Sequence, residues 1–349
     1  MRHAGRLFRV AVTAGLLVFI VSRVDLREMW NHLSVLDARL IALGYALHLA
    51  MVALNAWRWQ MLVQAQGTRV GFGRLLSYYF VGIFFNTFTP TSIGGDVTRV
   101  IDLARHTGRR STALASILVE RVIGLFVLLP VSLLGLFAAY PHIQSGRSVL
   151  LYLEGLLVFV LLAAFALVRV DRALALLGRV PIVGRLAVRP GVARRVANVQ
   201  EALDVYRGRG GLLWRVFAIS VASRAVWILS CFVFGIALAV SAPLASYFLV
   251  IPLVEVARMV PVSLSGLGIR ETAIVALFGL FGVPPAAALA LSILVYAPFL
   301  VNGLLGGVVY ALRGRAGATP GDADEQAATA APQAEGAPER RSGAAKRTA

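Results

Sequence analysis

Asn86-Thr87-Phe88-Thr89-Pro90-Thr91-Ser92-Ile93-Gly94-Gly95-Asp96-Val97-Thr98-Arg99 lies between two apolar runs, yet it holds a proline, two adjacent glycines, an aspartate and an arginine. A second stretch, Pro261-Val262-Ser263-Leu264-Ser265-Gly266-Leu267-Gly268-Ile269-Arg270-Glu271, repeats the spacing. Pro90, Ser92, Gly95 and Arg99 fall on Pro261, Ser263, Gly266 and Arg270 at a constant offset of 171 residues (90 to 261, 99 to 270). Proline removes a backbone donor and glycine releases the backbone, so each stretch reads as a break within a membrane helix. Pro90, Gly94, Gly95, Pro261, Gly266 and Gly268 are the expected hinges.

Outward from these breaks the chain is strongly apolar. Of 349 residues 58% are hydrophobic, and the mean hydropathy is +0.78. That composition fits a multi-span membrane protein and not a soluble domain. The net charge of +17 comes from arginines crowded at the ends of apolar runs, which is a topology signal and not a nucleic-acid surface. Cys231 is the only cysteine, so neither an intrachain disulfide nor a cysteine metal site is expected.

A membrane helix needs about 20 apolar residues, and 7–23, 40–63, 112–139, 148–168, 213–240 and 285–312 qualify. The first follows Arg2, Arg6 and Arg9 and lacks a small-residue cleavage pattern, so it reads as an uncleaved span. The loops at 64–74, 105–110 and 169–212 are rich in arginine, the last with nine, and are assigned to the cytoplasm with both termini. The segments 140–147, 241–244 and 282–285 are nearly uncharged and 24–38 is balanced, so these are assigned outside.

The broken region 74–105 then begins and ends inside, and 245–282 begins and ends outside. The fold expected is an all-α polytopic membrane protein. About six full spans join two broken-helix re-entrant hairpins in an inverted-topology repeat, repeat A over 40–139 and repeat B over 212–312. Residues 1–312 form the membrane domain and 313–349 a disordered tail of alanine, glycine, proline and mixed charge. Within the basic loop, 192–206 has the pattern of an amphipathic helix lying on headgroups, or of a solvated connector.

Ten charged side chains fall in or near the membrane: Arg58, Asp96, Arg99, Glu120, Arg121, Arg224, Glu255, Arg258, Arg270 and Glu271. Each costs about 2.5–3.5 kcal/mol at a bilayer centre, so pairing or function must retain them. Arg58, between Trp57 and Trp59, reads as an interfacial side chain. Asp96 has two roles open to it, the N-cap of the half-helix it begins or a headgroup contact. Asp96, Arg99, Glu120, Arg121, Glu255, Arg258, Arg270 and Glu271 are the candidate headgroup-binding residues, because an excess of guanidinium suits a phosphate. The sequence holds no Walker, HExxH or Gly-x-Ser-x-Gly pattern, and the glycine pairs lack the strand that a dinucleotide loop requires. No catalytic residue, metal or cofactor is expected.

The Asn86…Pro90…Gly94-Gly95-Asp96…Arg99 pattern, Glu120-Arg121 and Pro261…Gly266-Leu267-Gly268…Arg270-Glu271 resemble the lysylphosphatidylglycerol synthase transmembrane-region family, also called UPF0104 or flippase-like. The resemblance covers about residues 5–312. It implies a membrane region that moves an aminoacylated phospholipid across the bilayer. The best-known relatives carry in addition a soluble domain that transfers lysine from tRNA to phosphatidylglycerol. Here the tail stands where that domain would be, so translocation without aminoacyl transfer is expected. The partner expected is a membrane phospholipid or a polyprenyl-phosphate lipid, with a lipid-biosynthesis enzyme as a candidate protein partner and no nucleic acid. The alternative is a membrane subunit or enzyme of lipid-linked sugar or aminoacyl-lipid metabolism, with Asp96 and Asp102 as its acid pair. A third reading is a scaffold whose intramembrane charges serve assembly.

Overall fold

The computed structural model describes residues 22, 25–34, 36–89, 93–151, 153–155, 158, 201–206, 208–259, 263 and 266–316. Most of the expected spans at 7–23 and 148–168, the greater part of the 192–206 piece, the tail beyond 316, Pro90 and Pro261 lie outside them. A compact unit runs to Val309, and a second begins at Tyr310.

Every described element is helical. The helices are α1 (Leu26–Ser34), α2 (Ala38–Ala65), α3 (Phe72–Phe88), α4 (Gly94–Thr107), α5 (Arg110–Ala139), α6 (Gly210–Ala237), α7 (Leu244–Met259), α8 (Ile269–Gly279) and α9 (Pro285–Ala316). Four stretches, 38–65, 110–142, 210–237 and 285–313, are long and apolar enough to cross a membrane. A helix of 28 residues, such as α2, is about 42 Å long against a hydrocarbon layer of about 30 Å. Their outer faces carry bare apolar side chains, with Phe137 87% and Leu134 64% exposed, a surface suited to lipid. The short α1 is capped by Asp25, which accepts the Arg27 amide at 2.8 Å. Met29 and Leu33 of α1 pack on the core while Trp30 stays exposed.

Long span, two short arms, long span: the order α2, α3–α4, α5 recurs as α6, α7–α8, α9. The arms of each broken region fold back on each other. Gly95 of α4 lies against the Gly82 carbonyl of α3, and its amide donates to Asn86 Oδ1 at 2.8 Å. A side chain at Gly95 would overlap both, so this glycine is required by close approach. In the second hairpin the requirement is different. Gly266 and Gly268 have φ of 79° and 83°, in the left-handed region that glycine alone adopts readily.

The two long helices α2 and α6 pack antiparallel. Asn55 faces Ser223 and Arg58 faces Ser220, while Gly44 at the other end lies against Ser230 and Phe234. Two further contacts are built alike. Gly135 of α5 sits on the Phe248–Leu249 backbone of α7, and Gly306 of α9 sits on the Phe80 carbonyl of α3. These glycines are again 171 residues apart (135 to 306), and small residues at such crossings let membrane helices approach closely.

The connections gather at two ends. At one, Gln66 donates to the Tyr206 hydroxyl at 2.7 Å and to the Thr112 carbonyl at 3.3 Å, and Arg209 donates to the Ala65 carbonyl at 2.7 Å. At the other, the Gln144 amide donates to the Leu280 carbonyl at 3.0 Å, and Gly282 lies against the Gln144 side chain. The described residues of 64–74, 105–110 and 201–212 thus share one end, and the uncharged 140–147 and 282–285 share the opposite end.

Candidate functional site

The first charge cluster forms where α4 opens. Asp96 lies in the first turn of α4, and the residue at its N-cap position is Ile93, so Asp96 does not cap the half-helix. Its carboxylate instead holds Arg121, whose Nε donates at 2.6 Å, and lies 3.7 Å from Arg99. Glu120 and Arg121 are adjacent and point apart, as neighbours on a helix must. Glu120 is 4% exposed and accepts from Arg58 at 2.7 Å and Arg99 at 2.5 Å. Arg58 also donates to Ser220 at 2.9 Å. It is therefore a buried network member tying α2, α5 and α6, and the interfacial reading of it was wrong. The Arg99 guanidinium lies 4.1 Å from the Trp59 ring centre and 4.5 Å from that of Tyr79. Such cation–π contacts contribute about 0.5–2 kcal/mol each.

The second cluster forms where α8 opens. Glu271 pairs with Arg270 and reaches back to the Gly268 amide at 2.7 Å, as a glutamate on the first helical turn does in a capping box. The Arg270 guanidinium lies 3.8 Å from the Tyr296 ring centre, and its Nε has no hydrogen-bond partner among the described residues. Glu255 and Arg258 share a face of α7 at 3.3 Å. A side chain at Gly266 would press on the Arg258 stem at 3.1 Å, so the glycine leaves room for that arginine. Between these groups is a narrow cleft with room for about one water molecule. Glu255, Arg258, Arg270, Trp227, Tyr296 and Phe299 are among its lining residues.

The structure therefore sorts the eight candidates into two groups of four and adds to each an arginine not among them. Arg58 completes the first, giving three arginines against Asp96 and Glu120. Arg224 joins the second, where it is within electrostatic reach of Glu255 and also of Arg58 and Tyr79 in the first cluster. Arg224 makes no ion pair within 4 Å among the described residues. Each cluster holds three guanidiniums and two carboxylates, an excess of one positive charge. Gly94 and Gly95 lie in the first turn of α4 and Gly266 and Gly268 just before α8.

One further buried acid has no counterpart among the ten sequence candidates. Glu154 is 3% exposed, and its Oε2 lies 3.0 Å from the Ser132 hydroxyl.

Over 128 residues the chain is 27% identical to a UPF0104 membrane protein of Pyrococcus horikoshii, a match that covers 36% of this chain and 37% of that relative. The chain thus spans just over a third of the relative's length. Residues 6–306 match a family described as the lysylphosphatidylglycerol synthase TM region, and the chain belongs to that family of multi-pass membrane proteins.

Proposed function

We propose that this protein is an inner-membrane lipid translocase that moves a phosphate-bearing headgroup, of a phospholipid or a polyprenyl phosphate, across the bilayer. The observation that carries the reading is the cavity at the second helix break, where Arg258 and Arg270 converge with Glu255 and an aromatic wall. Arginine binds phosphate through a planar fork, and the acid orients it or meets a headgroup amine. In the first cluster Arg99 is committed to Glu120 and two aromatic rings, so that cluster anchors its hairpin while the second receives the headgroup.

The antiparallel α2 and α6, the matched glycine seams and the repeated element order support an inverted-topology repeat, with the two hairpins entering from opposite faces. The arginine-rich loops support a cytoplasmic assignment of the 66–71 end.

This topology has a direct check. Gly71→Cys and His142→Cys are exposed positions at opposite ends, and Cys231 is buried. A membrane-impermeant thiol reagent added to intact cells is expected to label residue 142 and not residue 71; labelling of both or neither would break the assignment. The function is tested in proteoliposomes containing labelled phosphatidylglycerol. The wild type is expected to bring inner-leaflet headgroups within reach of an impermeant quencher while protein-free vesicles keep theirs protected. Equal protection in both would defeat the reading.

A further inference from the structure

Glu154 differs from the other buried carboxylates among the described residues. Glu120 is held by two arginines and Glu271 by one, but Glu154, equally buried, has only the Ser132 hydroxyl. No charged side chain of any described element acts on it, and its Oε1 has no hydrogen-bond partner among the described residues. Arg147, on its own segment, lies over the Tyr140 ring.

The hydrogen bonds decide where the proton is. Ser132 Oγ has one proton and two neighbours that accept, the Leu129 carbonyl at 3.3 Å and Glu154 Oε2 at 3.0 Å. An ionised Glu154 takes the hydroxyl proton, leaves the Leu129 contact empty and buries a charge on one neutral donor, which is costly. A neutral Glu154 donates its own O–H to Ser132 Oγ, and Ser132 donates onward to Leu129. That arrangement satisfies both contacts with no buried charge.

Position adds a consequence. Ser132 lies eight residues before Tyr140, about 12 Å in from that end of α5 at helical rise. One turn further along α5 is Gly135, at the seam with α7. Ionising Glu154 requires water, and the seam with α7 lies one turn along α5 from its Ser132 partner.

We infer that Glu154 is a proton-binding site, occupied in this conformation, and that release of its proton accompanies opening of the α5–α7 seam. The link to lipid movement rests on the function proposed above; the proton site itself does not. Infrared spectroscopy of the purified full chain in nanodiscs at neutral pH is expected to show a neutral carboxyl band that Glu154→Gln removes and Ser132→Ala shifts. A folded Glu154→Gln protein whose carboxyl region matches the wild type overturns the proton site. In proteoliposomes the wild-type rate of headgroup movement is expected to vary with pH and that of Glu154→Gln to lose the dependence. The same pH profile in both overturns the coupling. A wild type that moves no lipid defeats the translocase reading alone, because the infrared band still decides whether Glu154 carries the proton.

Discussion

Glu120→Gln is expected to destabilise the protein by about 3–5 kcal/mol, the range for breaking a buried ion pair by removing one partner. The carboxylate is 4% exposed and serves two arginines that are themselves 8% and 6% exposed. Neutralising it leaves Arg58 and Arg99 as buried cations, with only Ser220, the aromatic rings and the more distant Asp96 to face them. Two long-range joints loosen together, α2 to α5 through Arg58 and α4 to α5 through Arg99. Thermal unfolding in detergent measures the effect. Arg121→Ala is the comparison: its side chain is 50% exposed, so its pair with Asp96 is worth at most about 1 kcal/mol. Equal losses for the two variants would show that the buried network carries no special weight.

Arg270→Ala is expected to slow headgroup movement about 10- to 100-fold while leaving a folded protein. A hydrogen bond to a charged group contributes about 1.5–3 kcal/mol, and each 1.4 kcal/mol is a factor of ten. Removing the arginine also strands Glu271 as a buried carboxylate and costs stability, as at Glu120, but the Gly268 amide bond still holds the start of α8, so rates are compared per folded protein. Arg270→Lys separates geometry from charge. Lysine keeps the charge and loses the fork, so a bidentate phosphate contact predicts a loss with lysine as well. Arg258→Ala, at the mouth of the same cavity, is expected to act in the same direction. Wild-type rates per folded protein in all three variants would remove the second cluster from the site.

The hairpins were legible because proline and glycine interrupt apolar runs for reasons local to the chain, and a constant offset exposes the copy. Four of the six expected spans were legible from length and apolarity alone, and the other two, 7–23 and 148–168, lie mostly outside the described residues. Pairing was not. Glu120 meets Arg58 from 62 residues away on another helix, and nothing in the tryptophans around Arg58 distinguishes a snorkelling arginine from a buried one. Glu154 escaped notice because it is one acid in an apolar run whose partner, Ser132, lies on the preceding span. Gly95 and Gly266 share a sequence spacing but neither a place on the helix nor a mechanism. One admits a neighbouring backbone and the other takes a left-handed φ, a difference that depends on which helix arm lies opposite. The short α1 shows an apolar pattern at positions 26, 29, 30 and 33, a signal that the balanced charge of 24–38 obscured.

The most direct measurement is an experimental structure of the full chain in nanodiscs rich in phosphatidylglycerol. A headgroup phosphate within hydrogen-bond distance of Arg258 and Arg270, in the cavity against Tyr296, is the expected result. A cavity occupied by acyl chain, with phosphate density only at the membrane surface or beside Arg99, would contradict the placement of the site.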